Sequence, residues 1–201
     1  MASSENPAAL SKYDPGWPAV GNRLLAAIKT AMSDLPATRS AQFDHIGSTS
    51  VPGLAAKPII DLQVSILPLP PDDVLAERLG PLGLRRASGS RPDSPGVYFD
   101  LPRGSEDVRA EVWAKSLFVN ADASVIVHIR RSDSPWAKYT VWFRDWLRAH
   151  PEQRDQYEAI KRELSAREVG KRDYDEYTLA KTAFFDDVQA EFERWAQRPE
   201  P

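Results

Sequence analysis

The sequence predicts an α+β fold, a mixed sheet flanked by helices and followed by a helical C-terminal portion. Three observations carry this. Apolar residues between 17 and 35 recur at helical spacing, short β-branched runs separated by turn residues extend to about 130, and helical stripes return from 134 onward. The first helix is marked by Trp17, Val20, Leu24, Ile28, Met32 and Leu35, with Pro18 near its start, where the ring is tolerated. Strands are predicted at about 42–46 and 58–67. A helix over 71–80 has Asp72 or Asp73 early in it and Gly80-Pro81 to stop it. Residues 85–96, RRASGSRPDSPG, have the composition of a flexible loop. Strands are then expected at 96–101, about 109–119 and 123–130, with Asn120-Ala121-Asp122 as the turn between the last two. Trp136, Tyr139, Phe143, Trp146 and Leu147 make one stripe that ends before His150-Pro151. A second helix, about 152–168, carries Tyr157, Ile160 and Leu164. A third, about 174–196, carries Tyr177, Ala180, Phe184, Val188, Phe192 and Trp195, so these helices should pack on one another or on the sheet. No internal repeat is present. The reading is one domain over 13–190, with a sheet core of about 13–130 and a helical portion of about 134–196. Residues 1–12 and 197–201 are expected to be flexible.

With 42% hydrophobic and 27% charged residues and a net charge of −3, the composition is that of a globular protein without tight, nonspecific nucleic-acid binding. The aromatic residues of the last helices fall at core spacing and no basic stripe accompanies them. The absence of cysteine excludes disulfides, thiolate metal sites and Cys nucleophiles. No apolar run approaches the ~20 residues that span a bilayer, and MASSENPAAL lacks the apolar stretch of a signal peptide. A cytoplasmic protein is the expectation.

Residues 45–62, HIGSTSVPGLAAKPIIDL, carry the chemistry. Gly47-Ser48 forms a turn after an apolar stretch, and Asp61 stands alone at the centre of a β-branched strand. An unpaired buried carboxylate is costly, so a cation or donors should face it. Gly47, Ser48, Thr49, Ser50 and Lys57 supply backbone N–H groups, hydroxyls and a cation suited to phosphate. The structural alternatives are an ordinary strand-ending turn and an Asp61 paired with Lys57 or a nearby Arg. Enzymes of the nucleotidyltransferase fold place a Gly-Ser turn on one strand and an Asp pair on the next. Here 12 residues separate Ser48 from Asp61, but Gln63 occupies the second acidic position. The expected site is therefore a degenerate one. In it Asp61 holds Mg²⁺ and ligand phosphate oxygens complete the shell.

His128 could bind metal, accept a proton or contact substrate, or simply be a core residue. His45 is equally open, and His150 fits a helix end. Asp100 and Glu111 are reserve carboxylates. Arg130, Arg144, Lys161, Tyr177 and Lys181 are further ligand-binding candidates. Tyr177 and Lys181 lie one turn apart, where a ring could stack on a base and an ammonium neutralise phosphates. Surface ion pairs with Asp145, Glu163 or Asp186 are the alternative.

The chain resembles the GrpB family, also described as a dephospho-CoA kinase/protein-folding accessory domain. The matching residues are Tyr13-Asp14-Pro15-Gly16-Trp17, the segment His45–Asp61, Trp113-Ala114-Lys115 and His128-Ile129-Arg130. Phe143–Arg148, His150-Pro151, Tyr157, Lys161, Tyr177 and Lys181 extend the match to about residue 190. The resemblance implies a nucleotidyltransferase-like fold that binds a nucleotide or other phosphorylated ligand. It leaves open whether a nucleotidyl group is transferred to a small acceptor or the domain is a non-catalytic accessory or folding module. Any partnership with a kinase would act in trans, because no Gly-x-x-x-x-Gly-Lys-Ser/Thr loop is present. Before the His-x-Arg element the chain departs from the family pattern: Ile126 stands where related sequences carry an Asn, and an Arg of the preceding turn is missing.

Overall fold

The computed structural model describes residues 9–88, 96–102, 108–122, 124–167 and 175–198, with side chains in the last stretch for 181 and 183–198. Among the described residues five strands form one sheet: β1 (Gln42–Ile46), β2 (Ile60–Ile66), β3 (Arg85–Arg86), β4 (Lys115–Val119) and β5 (Val125–Arg131). Their order is β1-β2-β5-β4-β3. The central pair β2 and β5 is parallel and the other pairs are antiparallel.

Strand periodicity gives this sheet two unlike faces. In β2 the residues Ile60, Leu62, Val64 and Ile66 alternate with Asp61, Gln63 and Ser65. In β5, Val125, Val127 and Ile129 alternate with Ile126, His128 and Arg130. The parallel register sets Asp61 beside Ile126, Gln63 beside His128 and Ser65 beside Arg130. The apolar face is covered by α1 (Trp17–Ala31) and α2 (Asp72–Leu79), through Trp17, Leu25, Ile28, Leu75 and Leu79. Each Leu or Ile fully buried there contributes about 1.5–3 kcal/mol relative to exposure.

The polar face is covered by α3 (Pro135–Ala149), which sits directly over Gln63. The Gln63 amide donates to the Ala137 carbonyl (2.9 Å), and its oxygen accepts from Thr140 (2.8 Å) and Arg130 (2.8 Å). With α4 (Pro151–Arg167) and α5 (Asp175–Ala196), α3 builds a second core rich in rings. Phe143 lies 5.0 Å from Phe185, and Tyr157 stacks on Phe184 at 5.0 Å. The result is the predicted α+β architecture, a mixed sheet flanked by helices with a helical C-terminal portion. Among the described residues no helix is long and apolar enough to cross a membrane.

Four expectations need correction. Residues 96–101 do not form a strand: Phe99 makes a single bridge to Ala114, and the segment touches its neighbour through two backbone bonds, Lys115 N–H to Tyr98 O and Asp100 N–H to Trp113 O. The stretch 109–119 begins as a 3-10 turn over Ala110–Trp113 and becomes strand only at Lys115. Arg85 and Arg86, expected in a loop, form an edge strand on Val119 and Phe118, while 89–95 lie outside the described residues. At the N-terminus, Ser11 exchanges two backbone bonds with Ala56, so the chain is already pinned before Tyr13.

Candidate functional site

The antiparallel register of β1 and β2 sets Ile46 against Asp61, and Gly47 follows at once. Gly47 has φ +70° and ψ −176°, a region essentially restricted to glycine. A Cβ there would stand 2.5 Å from Asp61 Oδ2. The bare backbone lets the chain turn across the acid into a 3-10 turn over Ser48–Ser50. Ser48 and Asp61 thereby face one chamber of about 280 Å³. Lys57, His128, Lys161 and Lys181 also line it, together with Ile59 and Ile126.

The charges are unequal. Among the described residues lining the chamber, three lysines face one carboxylate. Burial pushes the Asp61 carboxyl up to about 6, against the lowering effect of Lys181, Lys57 and Arg130, although 28% of its side chain opens to the chamber. Burial, reinforced by the Lys181 cation, brings Lys57 down to about 8 and Lys161 to about 7. Lys181 is likewise lowered by burial, with Asp61 opposing. Lys161 donates to the Ala55 carbonyl and lies 5.0 Å over the Tyr157 ring. Tyr157 shares a hydrogen bond with Ser48, and burial pushes its phenol up to about 12, so it stays protonated.

His128 is fixed from behind. Arg130 Nη2 lies 3.3 Å from His128 Nδ1, and a guanidinium can only donate, so Nδ1 accepts and the ring proton sits on Nε2. Nε2 faces Asp61 Oδ1 at 3.8 Å, beyond direct hydrogen bonding. Burial, then the Arg130 and Lys115 cations, hold the imidazole well below its ordinary pKa, so it is a neutral N–H donor. Arg130 is in turn clamped by Asp100, at 2.6 Å to Nε and 3.1 Å to Nη2, and Lys115 completes the buried group at 2.8 Å from Asp100.

A profile of the GrpB protein family matches residues 7–191. The chain belongs to the GrpB family. A dephospho-CoA kinase of Mycolicibacterium paratuberculosis is 33% identical over 197 residues, covering 94% of this chain and 47% of the relative. The chain thus spans about half the length of the mycobacterial relatives it matches. The glutamate-rich protein GrpB of Alkalihalophilus pseudofirmus is 29% identical, over 83% of this chain and 87% of that one. The crystal structure of conserved protein GrpB from Enterococcus faecalis superposes with a TM-score of 0.69 at 24% identity, covering 94% of this chain and all of that one. That likeness establishes a shared GrpB fold.

Within this GrpB fold the sequence-selected residues separate into two groups. Gly47, Ser48, Thr49, Lys57, Asp61, His128, Lys161 and Lys181 line the chamber or the one that adjoins it, and Arg130 and Arg144 line the adjoining one. Thr49 is buried, with its hydroxyl donating to the Ile59 carbonyl and bonded to His45 Nε2; Ser50 donates to Gly47 O. Both hydroxyls are thus engaged within the protein, although Thr49 also lines the chamber. His45 is structural: it packs under Gly21, where a Cβ would fall 2.6 Å from its Nδ1, and burial brings it down to about 4. Arg144 ties β1 to α3 by bonding Asp44, the His45 carbonyl and Asp145, so its charge is neutralised within the protein. Arg130 is a supporting residue behind His128. His150 ends α3, its Nδ1 2.8 Å from the Trp146 carbonyl. The side chain of Tyr177 lies outside the described residues.

The reserve carboxylates do not reach the chamber, since Asp100 is locked in its buried ion group and Glu111 pairs with Arg109 at 3.0 Å. Tyr157, Ile59 and Ile126 complete the site without having been selected. Tyr157 and Ile59 fall within the family-matching segments and Ile126 at a departure from them, but an apolar residue at core spacing carries no sign that it faces a cavity.

Among the described residues no three His, Asp or Glu side chains converge as ligands, and Gln63 is consumed beneath α3. The Nε2 of His128 carries a proton, leaving Asp61 as a lone carboxylate bordered by three ammonium groups.

Proposed function

We propose that this GrpB-family chain binds a small phosphorylated molecule, with the phosphate seated among Lys57, Lys161 and Lys181 and no divalent cation needed. The supporting observation is the chamber's charge: three lysines against one carboxylate whose own ionisation is suppressed toward pH 6. The Ser48 hydroxyl and the His128 Nε2–H are donors on the same wall. Hydrogen bonds to a charged partner contribute about 1.5–3 kcal/mol each, so a few suffice for micromolar affinity. A bound phosphate also restores full protonation to lysines that burial has lowered.

The turn on β1 and the acid on β2 follow the placement found in nucleotidyltransferases. Transfer of a nucleotidyl group from a nucleoside triphosphate is the finer reading: an acceptor hydroxyl would attack the α-phosphorus, pyrophosphate would leave, and Asp61 would take the acceptor's proton. The mycobacterial relatives named dephospho-CoA kinase make that coenzyme precursor one ligand to test, and a non-catalytic module acting beside a kinase the alternative.

A thermal-shift panel of inorganic phosphate, pyrophosphate, nucleoside triphosphates and dephospho-CoA, each with Mg²⁺ or EDTA, tests the reading. Stabilisation by at least one member, indifferent to EDTA and lost in Lys181→Met, is expected; a ligand at 100 times its Kd adds about 2.7 kcal/mol. No shift from any member overturns it. Pyrophosphate release that disappears in Asp61→Asn extends the reading to catalysis, whereas stabilisation without turnover identifies the binding module.

A further inference from the structure

A second chamber of about 220 Å³ adjoins the first, and the two share Ser48, Asp61, His128 and Lys181. Its character is different. Val51, Phe143, Leu147, Tyr157 and Phe185 supply a largely carbon wall, three of the five being aromatic rings. These rings belong to the second core: Phe143 stands edge-on to Tyr157 at 5.4 Å and tilted to Phe185 at 5.0 Å. They are held in place before any ligand arrives.

The two guanidinium groups on this wall are already held in ion pairs within the protein. Arg130 is bonded to Asp100, and Arg144 to both Asp44 and Asp145. Away from the shared Lys181, an anion entering here would compete with the carboxylates that already hold these groups and would lose its hydration with little return. An uncharged ring would replace water against carbon and pack offset or edge-on against Phe143, Tyr157 or Phe185. The lysine-lined chamber and the ring-lined one thus favour different parts of a ligand, and they meet at Ser48, Asp61, His128 and Lys181.

We infer that the second chamber receives an uncharged aromatic group carried by the same ligand whose phosphate sits among the lysines, making the site selective for aryl- or nucleobase-bearing phosphate esters over bare or alkyl phosphates. This rests on the phosphate-binding reading, and its failure can be told apart from that one.

The test is titration of the intact chain with inorganic phosphate, methyl phosphate and phenyl phosphate by calorimetry, alongside methyl-resolved NMR. Phenyl phosphate is expected to bind at least about tenfold more tightly than methyl phosphate. It should also shift the methyl resonances of Leu147 and Val51 through its ring current, which methyl phosphate does not. Leu147→Trp, which fills the chamber, should bring the phenyl-to-methyl ratio close to one. Equal affinities and unmoved Leu147 and Val51 methyls in the unaltered protein overturn the inference while leaving the lysine site standing. Absence of binding by all three phosphates overturns the lysine site itself. The ligand series on the unaltered chain decides the matter even if the Trp variant does not fold.

Discussion

Asp61 carries a carboxyl that titrates near 6 in the folded chain, against about 3.8 when exposed. The folded state therefore holds a proton that the unfolded state has released across that interval. Stability contributed by this group is present below pH 4 and is lost as pH rises through 6. Asp61→Asn removes the penalty, and we expect the variant to be about 1–3 kcal/mol more stable than the parent at pH 8, with the difference vanishing below about pH 4. Denaturant unfolding at the two pH values measures this, and an Asn variant less stable at pH 8 would contradict it. For His128, the Arg130 contact fixes a second expectation at the same scale. Imidazole ¹⁵N shifts should show Nδ1 unprotonated and Nε2 protonated from pH 6 to 8. Arg130→Met should mix the two tautomers, and a protonated Nδ1 in the parent chain would refute the assignment.

The loop joining β1 to β2 is the element that makes the site, and the helices hold it. Arg148 donates to the Ser50 carbonyl at 2.7 Å, Ala55 N–H donates to Glu158 at 2.7 Å, and Lys161 bonds the Ala55 carbonyl. Gly47 is the hinge of this arrangement. Gly47→Ala places a methyl against the Asp61 carboxylate in a backbone region that disfavours side chains, so a loss of about 1–3 kcal/mol is expected. Thermal unfolding measures the loss, and a neutral effect would mean that the turn relaxes. Much of this element was legible in the sequence. β-Branched alternation around Asp61 gave β2, and Gly-Ser after an apolar stretch gave the turn. What could not be read was partnership. Whether a serine or threonine hydroxyl points outward or back to the chain depends on tertiary neighbours, so the sequence leaves Thr49 and Ser50 open between donating to phosphate and capping the loop. Whether Arg144 offers or hides its charge depends on Asp44, a hundred residues away in sequence. The parallel pairing of β2 with β5, which brings His128 beside Asp61, crosses more than sixty residues and leaves no local trace.

Across the whole molecule, the chamber draws Asp61 and Ser48 from the sheet layer and Lys161 and Lys181 from α4 and α5. A ligand that binds there ties the two layers together. Hydrogen exchange should slow together in β2, α4 and α5 on adding a bound phosphate compound; protection confined to one layer would place the ligand elsewhere. Affinity should fall steadily from pH 6 to pH 9, because Asp61 ionises near 6 while Lys161 near 7 and Lys57 near 8 lose their protons. Binding at pH 8 should take up protons, visible as a calorimetric heat that varies with the buffer's ionisation enthalpy. The unlike faces of the sheet have one more consequence. The helices that secure the hydrophobic side are a different set from those that roof the binding side. Mutational drift in the roof can therefore re-aim what the pocket accepts while the foundation stays intact, and a library confined to the chamber-facing positions of α3 to α5 is the economical place to evolve new selectivity.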